Sequence, residues 1–161
     1  MVPWTVEADR IDWQAYACRC GERGHVGEDL RRIISARSAA ETGGATLEGH
    51  VEDEVMIAPV AVPATGVIMA ALQEDLWAET RDELMLVLWR VVLGAVDERE
   101  KAEIHDRVRD GLWILYREAA HGDTESALEI LEHVEHDRAR LAHFRAAATP
   151  RLKKRTRRPG A

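Results

Sequence analysis

The sequence predicts an all-α protein assembled from antiparallel helical hairpins in series. Three observations lead there. No stretch alternates apolar and polar residues for long, as a half-buried strand would. Several segments instead repeat apolar residues at i, i+3, i+4 and i+7. The gaps between those segments are short, and short connections pack neighbouring helices antiparallel. The 161 residues suit one domain, and a chain of this length can bury roughly 70% of its unfolded surface.

The first third is the least regular. "EADRIDWQAY" is a short helix candidate, "CRCGERGHVG" a glycine-rich loop, and "EDLRRIISA" a helix with a stripe through Leu30, Ile33 and Ile34. "SAAETGGATLEGHV" is a poor helix, because Gly43 and Gly44 are adjacent and each costs about 1 kcal/mol against alanine. An interrupted element is expected over 38–51.

The run "EVMIAPVAVPATGVIMAAL", Glu54 to Leu72, has no charge after Glu54 until Glu74. Its length approaches that of a membrane span, but Pro59 and Pro63 interrupt it. A helix can begin at Pro59, where the missing N–H costs nothing, with a kink at Pro63, or begin regularly only at Pro63. The 14 residues from Pro59 to Leu72 make roughly 21 Å of helix, short of a ~30 Å hydrocarbon core. Ala64, Val67, Ile68, Ala71 and Leu72 share one face. The segment reads as a short, kinked, buried helix and not as a membrane span.

"TRDELMLVLWRVVLG" opens with Thr80 and has Glu83 three residues on, the pattern of a capping box. Gly94 is a plausible stop. Its apolar residues cover most of the circumference, as in a central helix. In "DEREKAEIHDRVRDGLWILYREAA", Asp97 and Glu100 suit the N-terminus, and Ile104, Val108, Leu112, Leu115, Tyr116 and Ala119 form one stripe. Asp123 is the expected N-cap of the last helix. Its stripe runs through Ala127, Leu128, Leu131, Val134 and Leu141, and Thr149-Pro150 should end it near Ala148. The hairpins then pair 26–36 with 38–51, 58–72 with 80–94, and 98–120 with 123–147. The expected domain is 1–148, followed by a disordered basic tail over 149–161.

The net charge of −7 conceals an asymmetry. The tail carries Arg151, Lys153, Lys154, Arg155, Arg157 and Arg158; removing these six positive charges leaves the body at −13. An acidic body disfavours nucleic acid as its own ligand. The opening "MVPWTVEADRIDW" has neither the basic nor the apolar region of a secretory signal, so a cytoplasmic location is expected. Cys18 and Cys20 are expected to be free thiols, because a bridge between residues two apart is strained and uncommon.

"IDWQAY", a glycine-containing loop, "VGEDLRRI", "LEGHVEDEVMIAPVAVPATGVIMAAL" and "TRDELMLVLWRVVLG" together resemble the small HEAT-repeat-like (armadillo-type) proteins of actinobacteria, over roughly residues 11 to 95. Those proteins open with an Ile-Asp-Trp helix, continue with a repeat hairpin, and reach an Ala-rich, proline-interrupted helix through a polar turn. The resemblance implies a HEAT-like right-handed α-solenoid, an α-α superhelix used as a protein-binding surface. It also suggests an immunity-type or scaffold role, because such proteins are often encoded in toxin–immunity clusters. Family members usually carry a His-Gln-Gly-type turn where this chain reads "HVEDEV", so any role of that turn does not transfer directly.

Four groups of side chains are candidates for chemistry. The turn "EGHVEDE" gathers Glu48, His50, Glu52, Asp53 and Glu54, either as an acidic lip for a basic partner or as carboxylates favoured beside a helix N-terminus. Cys18, Cys20 and His25 offer three metal donors, but a structural zinc site takes four and the usual Cys spacing is longer. The expected reading is a reduced, partly packed loop with no metal. Glu129, Glu132, His133, His136 and His143 are expected on the wet face of the last helix, with His133 and His136 one turn apart. The basic tail could hold nucleic acid, together with Arg31, Arg32 and Arg37, or on its own an anionic membrane surface; the favoured reading is a solvated tail, since charge runs are commonly disordered. No nucleophile elbow, P-loop or dinucleotide fingerprint is present. The sequence therefore predicts a non-catalytic module without cofactor, binding a basic protein through Glu48, His50, Glu52, Asp53 and Glu54. The alternative is a nucleic-acid-associated protein using Arg31, Arg32, Arg37 and the tail.

Overall fold

A computed structural model describes residues 2–53 and 56–156, with 149–156 described by their backbone alone. Among the described residues the regular elements are helices, joined by turns, bends and isolated bridges. The elements are α1 (Pro3–Asp9), a single 3-10 turn (Trp13–Ala15), α2 (His25–Ser35), α3 (Ala61–Ala71), α4 (Ala78–Gly94), α5 (Glu98–Arg109), α6 (Leu112–His121), α7 (Thr124–Val134) and α8 (Arg138–Thr156).

Helix α3 is the innermost. It touches α1, α2, α4 and α5, and nine of its residues are buried, on every side. An uncharged sequence suits this position, since only Gly66 and Ala70, one turn apart, are partly exposed. Pro63 falls in the first turn, where backbone N–H groups have no intrahelical partner to lose. Helix α7 is a second hub, touching α4, α5, α6 and α8. The odd-numbered helices make contact in series, α1 with α3, α3 with α5, and α5 with α7. No helix among the described residues is long and apolar enough to cross a membrane.

The Ile-Asp-Trp segment works through close packing. Trp13 is buried, and its indole N–H donates to the carbonyl of Ala8 at 3.0 Å. Its ring lies so near α2 that a Cβ on Gly27 would come within 2.6 Å of it. Only glycine admits that approach.

Several expectations are corrected. The segment 38–51 forms bends and turns and not a helix, with Gly43, Gly44 and Gly49 at positive φ. Hairpin 26–36 therefore has no helical partner there. The helix expected over 98–120 is two, α5 and α6, parted at Asp110-Gly111. The one expected over 123–147 is also two, parted at 135–137, and α8 passes the Thr149-Pro150 step to reach Thr156. The last residues, 157–161, lie outside the described residues, so the tail reading rests on sequence there.

The caps divide. Asp97 accepts from the amides of Arg99 and Glu100, and Asp123 accepts from that of Ser126, both as expected. Thr80 is no cap: α4 starts two residues earlier, and the Thr80 hydroxyl donates to the carbonyl of Ile33 at 3.2 Å.

Candidate functional site

The glycine-rich loop and the acidic turn, 30 residues apart in sequence, form one unit. The loop is a tight reversal in which Ala17 and Arg23 face each other antiparallel. The Cys18 N–H donates to the carbonyl of Glu22 at 3.0 Å, and the Gly21 N–H to that of Cys18 at 3.0 Å. Gly21 and Gly24 take φ of 86° and 87°, a region costly for other residues. The turn is anchored by Leu47 and Val51, both fully buried. The Leu47 carbonyl accepts from the amides of His50 and Val51, and Gly49 has a φ of 77°.

Arg19 joins loop and turn through both its backbone and its side chain. The Arg19 N–H donates to the carbonyl of His50 at 2.9 Å. The Arg19 guanidinium, projecting from between the two cysteines, pairs with Asp53 at 2.6 Å. These bonds bring Cys18, Cys20, His25 and His50 together: one sulfur or ring nitrogen from each lies within 4.8 Å of all the others. His25 Nε2 is 3.1 Å from Cys18 Sγ and 3.3 Å from Cys20 Sγ, and His50 Nδ1 is 3.7 Å from Cys18 Sγ. His25 Nδ1–H donates to Asp29 Oδ2 at 2.8 Å, one turn along α2. The two imidazoles meet edge to face with centroids 4.7 Å apart.

The expectation of free thiols is corrected: Cys18 and Cys20 are joined as a disulfide. The tight reversal of the loop makes this possible, setting their Cα atoms 5.4 Å apart, within the span of such a bridge.

The five predicted partner-binding residues have different fates. Glu48 is exposed and pairs with Arg90 at 3.4 Å. His50 belongs to the Cys/His cluster. Glu52 is buried and pairs with Arg90 at 2.9 Å, so it is an internal support of the turn. Asp53 is half-buried against Arg19. Glu54 lies outside the described residues. Glu83, read as part of a capping box, reaches this turn instead. Burial raises its carboxyl above the ordinary value, opposed by a hydrogen bond from the Leu47 backbone.

Sequence reasoning missed a cleft of ≈ 370 Å³ beside the turn, lined by Asp53, Met56, Ile57, Trp89, Leu93 and Gly94 with Arg90. Met56 at its rim is 51% exposed, which is high for a large apolar side chain. The Trp89 indole N–H donates to Glu129. The available signal was Trp89 itself, since tryptophan is enriched at binding hot spots. Around the cleft, the carboxylates Glu48, Glu52, Asp53 and Glu129 outnumber Arg19 and Arg90, the arginines that pair with three of them among the described residues.

The remaining candidates are dispersed. Glu132, His133, His136 and His143 are exposed along α7, α8 and their junction, and Glu129 is half-buried. Arg31 is engaged with Asp9 at 2.6 Å, while Arg32 and Arg37 are exposed. Trp113 is 66% exposed, beside Tyr116, Phe144 and the Arg140 guanidinium. No protein family, curated protein or solved structure gives a match to this chain.

Proposed function

We propose that the protein is a non-catalytic protein-binding module, a HEAT-like array of helical hairpins that docks a basic partner at the acidic turn and the cleft beside it. The observation that carries this is the juxtaposition of an exposed Met56 and an apolar cleft floor with an excess of carboxylates. Apolar anchors in a cleft supply binding energy, and a charged surround speeds encounter and selects the partner by sign. The series of contacts from α1 through α3 and α5 to α7 is what stacked hairpins would make, and it supports the HEAT-like reading. An immunity-type or scaffold protein covering a basic partner fits the same surface.

Nucleic-acid association through Arg31, Arg32, Arg37 and the tail has less support. Arg31 is already paired, and the body carries −13 once the six basic tail residues are removed from −7.

The test is capture of the partner from the native host, followed by association kinetics. Met56→Ala combined with Glu48→Lys changes only exposed side chains, so circular dichroism should be unaltered. The affinity should fall at least about tenfold, ~1.4 kcal/mol, and the wild-type on-rate should drop as salt rises. Equal affinities for variant and wild type would remove the cleft from the interface.

A further inference from the structure

We propose that Cys18, Cys20, His25 and His50, with the cysteine pair reduced, bind one zinc ion that clamps the glycine-rich loop to the acidic turn. The loop alone offers three donors; the fourth, His50, arrives from the turn because Arg19 ties the two together through its backbone and its side chain. In a tetrahedral zinc site, metal–sulfur bonds of about 2.3 Å and metal–nitrogen bonds of about 2.0–2.1 Å place donors about 3.3–3.8 Å apart. The sulfur–nitrogen separations of 3.1, 3.3 and 3.7 Å are close to that spacing.

Three further features suit a metal better than a disulfide alone. A disulfide needs no imidazoles, yet two converge on these sulfurs. Asp29 accepts from His25 Nδ1–H, which fixes the tautomer that turns the Nε2 lone pair toward the sulfurs. This carboxylate–histidine arrangement orients metal-bound imidazoles. The Cys20 N–H donates to Cys18 Sγ at 3.1 Å, a bond that favours a thiolate. Two thiolates neutralise the dication, so the partly buried site carries no net charge. A set of two sulfurs and two nitrogens in tetrahedral array selects zinc, and four protein donors leave no open position, so the site is structural and not catalytic.

On binding, each thiol loses a proton, two zinc–sulfur and two zinc–nitrogen bonds form, and two protons leave to solvent. If the pair starts as the disulfide, a phosphine reductant supplies the two electrons and takes the oxygen of one water, whose two protons go to the sulfurs, giving two thiols and the phosphine oxide. Zinc and the disulfide are thus alternative states of the same two sulfurs. This assignment does not depend on the docking proposal, and its test needs no partner.

The experiment is titration of the full-length, phosphine-reduced protein with Co²⁺ and then Zn²⁺, without oxygen. One Co²⁺ per chain is expected, with the strong d–d bands of a tetrahedral ion and a thiolate-to-cobalt charge-transfer band, all bleached by one equivalent of Zn²⁺. The charge-transfer band should vanish in Cys18→Ser/Cys20→Ser. Asp29→Asn should keep the spectrum but weaken affinity about 10–100-fold. Because loop variants can fail to fold, the wild type is also alkylated with iodoacetamide, and Zn²⁺ should protect both cysteines. The proposal is overturned by a weak octahedral cobalt spectrum, by alkylation rates indifferent to zinc, by a folded His50→Ala variant that binds cobalt as tightly as wild type, or by a chain that keeps its sulfur–sulfur bond under phosphine.

Discussion

Glu52, Glu118 and Glu135 are buried carboxylates, and each is met by an arginine: Arg90 at 2.9 Å, Arg81 at 2.6 Å and Arg140 at 2.7 Å. A buried charge without its partner is strongly unfavourable. Glu52→Lys would set two cations against each other under the acidic turn and should destabilise by about 3–5 kcal/mol, read as a lower midpoint in urea unfolding. The variant that spares the fold is therefore the one at exposed Glu48. Glu135 lies at the α7–α8 junction. Burial pushes its carboxyl up, but hydrogen bonds from the Tyr116 hydroxyl, the Asp137 amide and Arg140 outweigh this and hold it at about 2. Burial, then the Glu135 carboxylate, push the Tyr116 hydroxyl up to about 12. Unfolded, Glu135 takes its proton near 4.5; folded, near 2. Its contribution to stability is thus complete above the higher value and is lost as pH falls toward the lower. Glu135→Gln should lower stability at neutral pH and flatten the acid limb of a stability–pH profile. An unchanged acid limb would show that the junction does not depend on this carboxylate.

The elements divide according to how local their causes are. Helix α3 was legible because an uncharged run broken by two prolines and too short for a bilayer admits few readings. Val67 and Ile68 are fully buried in it, so Val67→Asp or Ile68→Asp should cost several kcal/mol and broaden or abolish cooperative thermal unfolding. The Asp97 and Asp123 caps were legible for the same reason, each acting on amides two or three residues ahead. Thr80 and Glu83 were misread because their partners are distant in sequence: the hydroxyl goes to Ile33 and the carboxylate to Leu47. Local pattern cannot reveal a bond that tertiary contact supplies. The candidate site shows the same limit. Cys18, Cys20 and His25 were visible as three donors in one loop, but His50 becomes the fourth only after the turn closes on Leu47 and Val51. Glu52 looked like a surface carboxylate because the arginine that buries it stands 38 residues away on α4.

At the scale of the whole molecule, α3 and α7 hold the helices together, while the loop over 17–24 and the turn over 47–53 are irregular, the turn anchored in the core by Leu47 and Val51. Their joining by Arg19 and the Cys/His cluster places the acidic turn beside the cleft of Met56, Ile57, Trp89 and Leu93. The central claim is that a basic partner docks there and not along the arginines of α2 or the basic end of α8. Hydrogen–deuterium exchange of the free protein and of its complex with the captured partner tests this most directly. Slowed exchange is expected over 47–57 and in the second half of α4, with α8 unchanged. Protection confined to α2 and α8, with the turn exchanging as in the free protein, would contradict it.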